Sequence, residues 1–125
     1  MESMFGRLAE ALAASEIGPK VALTAALAAD WQAGKLDYRD ASPAELMCGR
    51  PAKPVLLPHK DVPNRSPGTP EGRARLLHAI VHIEFSAINL ALDHAARFRG
   101  LPQAYYADWI GVAAEEAEHF MLLRD

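Results

Sequence analysis

Three residues in the C-terminal half of this chain have side chains suited to metal chemistry, and the spacing puts at least two of them where a core residue belongs. Glu84 interrupts the apolar run HAIVHIEFSAINLAL, Glu116 interrupts AAEEAEHFMLL, and His119 follows Glu116 by one helical turn. Carboxylate and imidazole donors together suit iron, manganese or zinc better than calcium. A glutamate from one helix and a Glu-x-x-His pair from its neighbour form one half of a known ligand set. Helical bundles use the full set to hold two metal ions.

The elements that position these residues follow from periodicity. In the stretch after Pro70, an inner stripe runs Leu77, Ile80, Val81, then Ile88, Ala91, Ala95. At 3.6 residues per turn, position 84 continues it, so Glu84 is expected to face the core. His78, His82, Asn89 and Asp93 fall on another side, read as the polar face. In the last stretch the stripe is Trp109, Val112, Ala113, Phe120 and Leu123, and 116 continues it. Asp108, Glu115 and Glu118 lie on the solvent side of that helix.

A hairpin turning around Arg99-Gly100-Leu101-Pro102 brings the two stripes together. Glu84 and Glu116 stand equally far from Gly100, and sixteen helical residues span roughly 24 Å on either arm. The two carboxylates should therefore meet at one level. Two facing carboxylates in a core cost several kcal/mol unless a cation joins them. No lysine or arginine lies on either stripe near that level, which leaves metal ions as the economical answer. One alternative is a core glutamate bonded to a histidine with no metal. Another is a separate zinc-type pair formed by His78 and His82. Asn89 and Tyr105 or Tyr106 could support the ligands from behind, or simply pack.

Upstream, residues 2 to about 15 read as a helix on Met4, Phe5, Leu8 and Leu12. Ile17-Gly18-Pro19 breaks it, and Pro19 suits the first turn of a second helix carrying Val21, Leu23, Ala26, Leu27 and Trp31. Gly34 is the expected C-terminal cap. Ser42, Pro43 and Glu45 make the capping box of a short helix ending at Cys48-Gly49, with Cys48 read as a small apolar side chain. Six prolines between Pro51 and Pro70 forbid a helix there and favour an extended arm across the bundle. His59, Lys60 and Arg65 in this arm could reach the mouth of a site. Thr69-Pro70-Glu71 opens the long helix with a cap, a first-turn proline and an early acid. The resulting division is 1–49, short helices; 50–69, proline-rich arm; 70–125, helical hairpin.

Composition agrees with an all-α chain. Of 125 residues, 50% are hydrophobic and only 7% aromatic, with many alanines. The net charge of -3 and the lack of a basic cluster give no support to nucleic-acid or anionic-membrane binding. One cysteine, Cys48, excludes an intrachain disulfide and a cysteine-based zinc site. The longest apolar stretch, Val21 to Ala29, is too short to span a bilayer, and a cytoplasmic protein is expected.

The stretch HIEFSAINLALDHAARFRGLPQAYYADWIGVAAEEAEHFMLLRD also resembles an uncharacterised bacterial family, a domain of unknown function in the ferritin-like superfamily. The likeness extends through PKVALTAALAADW and DVPNRSPGTPEGRARLLHAIVHIE, and its specific part is His82-Ile83-Glu84 with Glu115-Glu116-Ala117-Glu118-His119-Phe120. It implies a ferritin-like four-helix bundle holding two metal ions, iron first and manganese second. It also implies kinship to the non-haem di-iron monooxygenase that hydroxylates a modified tRNA base. On that resemblance Glu84 is the terminal ligand of one metal, Glu116 bridges both and His119 binds one. The chain departs from the pattern because no second glutamate helix and no second Glu-x-x-His helix follow. The expectation is half a site, completed by a second helical hairpin or by a second copy of the chain. Such a chain alone would be inactive, and its substrate is not readable. The competing expectation is a non-catalytic helical scaffold with an incomplete site.

Overall fold

A computed structural model describes residues 1–39, 46–49 and 68–124. The short helix expected over 40–48 lies largely outside them, and its described part, 46–48, is not helical; most of the proline-rich arm, with His59, Lys60 and Arg65, also lies outside. The described chain is helical, as its composition and periodicity predict. Strand β1 (Glu2–Ser3) leads into helix α1 (Met4–Ala13), followed by α2 (Ile17–Gln32), strand β2 (Leu36–Asp37), α3 (Pro70–Arg97) and α4 (Gln103–Arg124). The two-residue strands pair in parallel, Glu2 with Leu36 and Ser3 with Asp37. No pattern along the chain pointed to this ribbon, since two residues are too few for a period-2 alternation.

Several helix ends have an identifiable cap. Ser3 accepts a hydrogen bond from the Gly6 N–H at the head of α1, at 3.4 Å. Thr69 Oγ1 accepts from the Gly72 N–H at 2.9 Å, with Pro70 in the first turn of α3. Gly34, with φ 73°, sits just past the end of α2 as the left-handed cap. The C-terminus of α1 is capped by a side chain from another helix. The fully buried Lys20 donates from Nζ to Ala11 O and Leu12 O, both at 2.8 Å, and lies over the Phe85 ring. An ammonium is tolerated there because helix-end carbonyls carry partial negative charge.

The turn between α3 and α4 is pinned by two tyrosines. Gly100 takes φ 75°, a conformation that disfavours a β-carbon. Tyr105 donates its hydroxyl to His94 O at 2.7 Å, and Tyr106 donates to Phe98 O at 2.9 Å. The Leu101 N–H donates to the Tyr106 oxygen at 3.2 Å. These bonds satisfy backbone groups that the end of α3 and its turn would otherwise leave open.

One core joins all four helices. The buried positions of α3 begin in earnest at Phe85 and run through Ile88, Ala91, Leu92, Ala95 and Ala96. Those of α4 are Tyr106, Ile110, Ala113, Ala117 and Phe120, spaced 4-3-4-3. Alanines on both helices let the hairpin arms approach closely. By its residue count α1 is about 15 Å long and α2 about 24 Å, against about 42 Å for α3. Among the described residues they pack toward the turn, and in the N-terminal part of α3 Leu76, Leu77 and Ile83 are exposed while Gly72 is buried.

This arrangement corrects three expectations. Leu77 was placed on the inner stripe of α3 and Val112 on that of α4, yet both are exposed, and Trp109 is only half-buried. A hairpin considered alone has one contact face per helix. Here α4 packs on α2 as well as α3, so its buried arc turns toward Tyr106, Ile110 and Ala117. Asn89, assigned to the polar face, is buried: Gly49 lies against that side of α3, and Asn89 Nδ2 donates to Gly49 O at 3.1 Å. The Gly49 N–H in turn donates to Leu12 O at 2.8 Å. A β-carbon on Gly49 would strike the carbonyl of Ala13, which explains glycine at this position. Cys48, beside it, is exposed and fills no core space.

By length and composition alone α3 is long and apolar enough to cross a bilayer, a test that core helices also pass. Here it is the central packing helix of the hairpin.

Tyr106→Phe should cost about 1–2 kcal/mol by leaving the Phe98 carbonyl and the Leu101 N–H without their partner. A fall in the urea midpoint at unchanged slope would show it, while an unchanged midpoint would deny the tyrosine its clamping role.

Candidate metal centre

Glu84 comes from the middle of α3, one residue before the buried Phe85. Glu116 and His119 come from the last third of α4, flanking the buried Ala117 and preceding Phe120. One ligand atom from each of the three lies within 4.8 Å of the other two. Among the described residues this is the group of three or more such side chains close enough to share a cation. The equal distance from the turn therefore does bring the two carboxylates to one level.

The three are unequally buried. Glu84 is half-buried, the Glu116 side chain is 26% exposed, and His119 is 57% exposed. The group thus has an apolar floor made by α3 and α4 and an open side at His119. His119 Nδ1 stands 3.7 Å from Glu116 Oε2, too far for a good hydrogen bond but suited to two donors on one ion. Glu84 Oε2 is buried with no hydrogen-bond partner. An ionised carboxylate in that state is costly.

The electrostatics record the conflict. Hydrogen bonding with the Glu116 carboxylate pushes the Glu84 carboxyl up to about 7, with burial and the charge of Glu116 adding to the effect. His119 pulls in the opposite direction and loses. Two like-charged carboxylates this close favour the protonated form of Glu84.

The neighbouring polar residues act elsewhere. Tyr105 and Tyr106 close the hairpin turn, and Asn89 holds Gly49. His78 and His82 do come together one turn apart on α3, with Nε2 atoms 3.0 Å from each other. His82 is held below the usual histidine range, first by burial and then by the charge of His78.

With the geometry in hand, the relatives give the class. The family of proteins of unknown function designated DUF455 matches residues 13–125, and the chain belongs to that family. An uncharacterised protein of Haemophilus influenzae is 46% identical over 96 residues. That alignment covers 71% of this chain and 33% of the relative, so the chain spans about a third of the relative's length. No solved structure matches.

The raised Glu84 carboxyl makes the metal-free protein pH-sensitive. The folded state holds this proton more tightly than the unfolded chain does, so its stabilising contribution is complete below about 4.5 and disappears as pH rises through about 7. Allowing for partial exposure, about 2 kcal/mol should be lost between about pH 5 and pH 8. Urea unfolding of metal-free protein and of Glu84→Gln at both pH values isolates the effect. Parallel pH profiles for the two proteins would rule it out.

Proposed function

We propose that this chain supplies half of a ferritin-like, carboxylate-bridged di-metal centre of oxidoreductase type, with Glu84, Glu116 and His119 as ligands. The observation that carries this reading is the three-residue group itself. Two carboxylates and an imidazole from two helices converge, and a buried oxygen of Glu84 lacks any partner in the metal-free protein. The donor set fits iron first and manganese as the alternative.

Within this reading each side chain has a distinct task. Glu84, reaching from α3 next to buried Phe85, would hold one ion through a terminal carboxylate. Glu116, in reach of both Glu84 and His119, would serve as the carboxylate shared between ions. His119, on the open side, would bind one ion through a ring nitrogen, and its 3.7 Å separation from Glu116 is compatible with that role. Buried Phe85, Ala117 and Phe120, next to the donors in sequence, would lower the local dielectric and strengthen the attraction between ligands and cation. Three ligands are too few for two ions. The remaining donors come from a second helical hairpin or a second copy of the chain, seated on the N-terminal part of α3. When bound, a pair of irons supplies redox chemistry with dioxygen at coordination positions the protein leaves open.

Metal binding must displace the proton that Glu84 holds, so affinity should rise with pH through about 7. Anaerobic Fe(II) titration of the chain, followed by native mass and by melting temperature, tests the proposal. Bound iron should raise the melt, by about 2.7 kcal/mol at one hundred times Kd. Glu84→Ala and His119→Ala should each abolish that rise. If iron leaves both mass and melt of a folded chain unchanged, the half-site assignment fails and a non-catalytic helical scaffold takes its place.

A further inference from the structure

The N-terminal half of α3 carries a second arrangement of donors that the carboxylate group does not use. His78 and His82 stand at i and i+4, so both imidazoles rise from one face of the helix. Their Nε2 atoms are 3.0 Å apart, with the rings edge to face at a centroid distance of 4.5 Å. His78 is exposed and His82 half-buried, so the pair is open to solvent from outside the hairpin. The two ring nitrogens thus lie within hydrogen-bonding distance of each other on one face of the helix, and an ion binding both would take the place of that contact.

We propose that His78 and His82 form a second metal site, a bidentate imidazole chelate for a late first-row divalent cation. The separation supports the assignment. Two nitrogens 3.0 Å apart, each about 2.0–2.1 Å from an ion, subtend about 90° at it. That is the angle of neighbouring ligands in tetragonal copper(II) or nickel(II), and a few tenths of an ångström of opening would suit tetrahedral zinc. No carboxylate of α3 joins the chelate from the N-terminal side. Glu71 is seven residues before His78, about 10 Å along the axis. An imidazole-only pair selects copper, nickel or zinc over the harder manganese and magnesium, so this site and the carboxylate group prefer different metals. His94, four turns further along α3 than His78, is otherwise engaged: its Nδ1–H donates to Leu90 O and its ring stacks on Trp109.

The position gives the chelate a mechanical effect. Residues 78 and 82 lie in the part of α3 that α1 and α2 leave uncovered, where Leu76, Leu77 and Ile83 are exposed. A cation joining successive turns staples that segment in helical form.

The test is titration of the metal-free Glu84→Gln/Glu116→Gln chain with Cu(II), Ni(II) and Zn(II) in turn. One ion per chain should bind, tightest for copper, and amide exchange around Leu77–Val81 should slow. His78→Gln and His82→Gln, both at accessible positions, should each weaken binding tenfold or more. In the unsubstituted chain, zinc should shift the side-chain nitrogen resonances of His78 and His82 first. Equal affinity in the His78→Gln/His82→Gln double variant and its parent would overturn the proposal. So would late-metal binding that disappears with the glutamates and ignores the histidines. Fe(II) binding retained in the histidine double variant separates this site from the carboxylate reading, so that either can fail alone.

Discussion

The turn between α3 and α4 is the constraint on which the rest depends. A helix hairpin has a free register: sliding one arm by a single residue rotates its side chains by about 100° relative to the other. Gly100 in its left-handed conformation and the hydroxyls of Tyr105 and Tyr106 on His94 and Phe98 remove that freedom. With the turn fixed, a glutamate sixteen residues before Gly100 must face one sixteen residues after it. The candidate centre is thus a consequence of counting from a pinned turn, far from the ligands themselves.

What that register brings together is electrostatically unfavourable in the metal-free chain. The Glu84 carboxyl is pushed up to about 7 by Glu116 and by burial, and one of its oxygens is buried without a hydrogen-bond partner. Lys20 is the instructive contrast. It too is a charged group in the core, but two helix-end carbonyls and an aromatic face receive it, so the charge has partners within the fold. The glutamate pair has no such internal answer among the described residues.

The sequence made much of this legible, and the reasons differ by feature. Helix limits at Thr69, Gly34 and Gly100 were readable because capping chemistry is local. The meeting of Glu84 with Glu116 and His119 was readable because it needs only a period and a distance from the turn. Which face of α4 would be buried was not readable, since that depends on α2, a helix more than seventy residues away in the chain. Asn89 looked polar by type and position, and only the approach of Gly49 makes it a core residue. Lys20 likewise resembles a surface lysine until the end of α1 is placed beside it.

The unequal lengths of the helices divide α3 into two mechanical regimes. From Phe85 to Ala96 it is sandwiched by its neighbours, so opening it requires breaking the shared core. From Pro70 to Ile83 it is held mainly by its own hydrogen bonds and by one side of the hairpin. Local opening free energies must therefore climb along a single continuous helix. Glu84 sits at the step between the two regimes. Its carboxylate therefore stands on firm backbone, while the turns just before it open at lower cost.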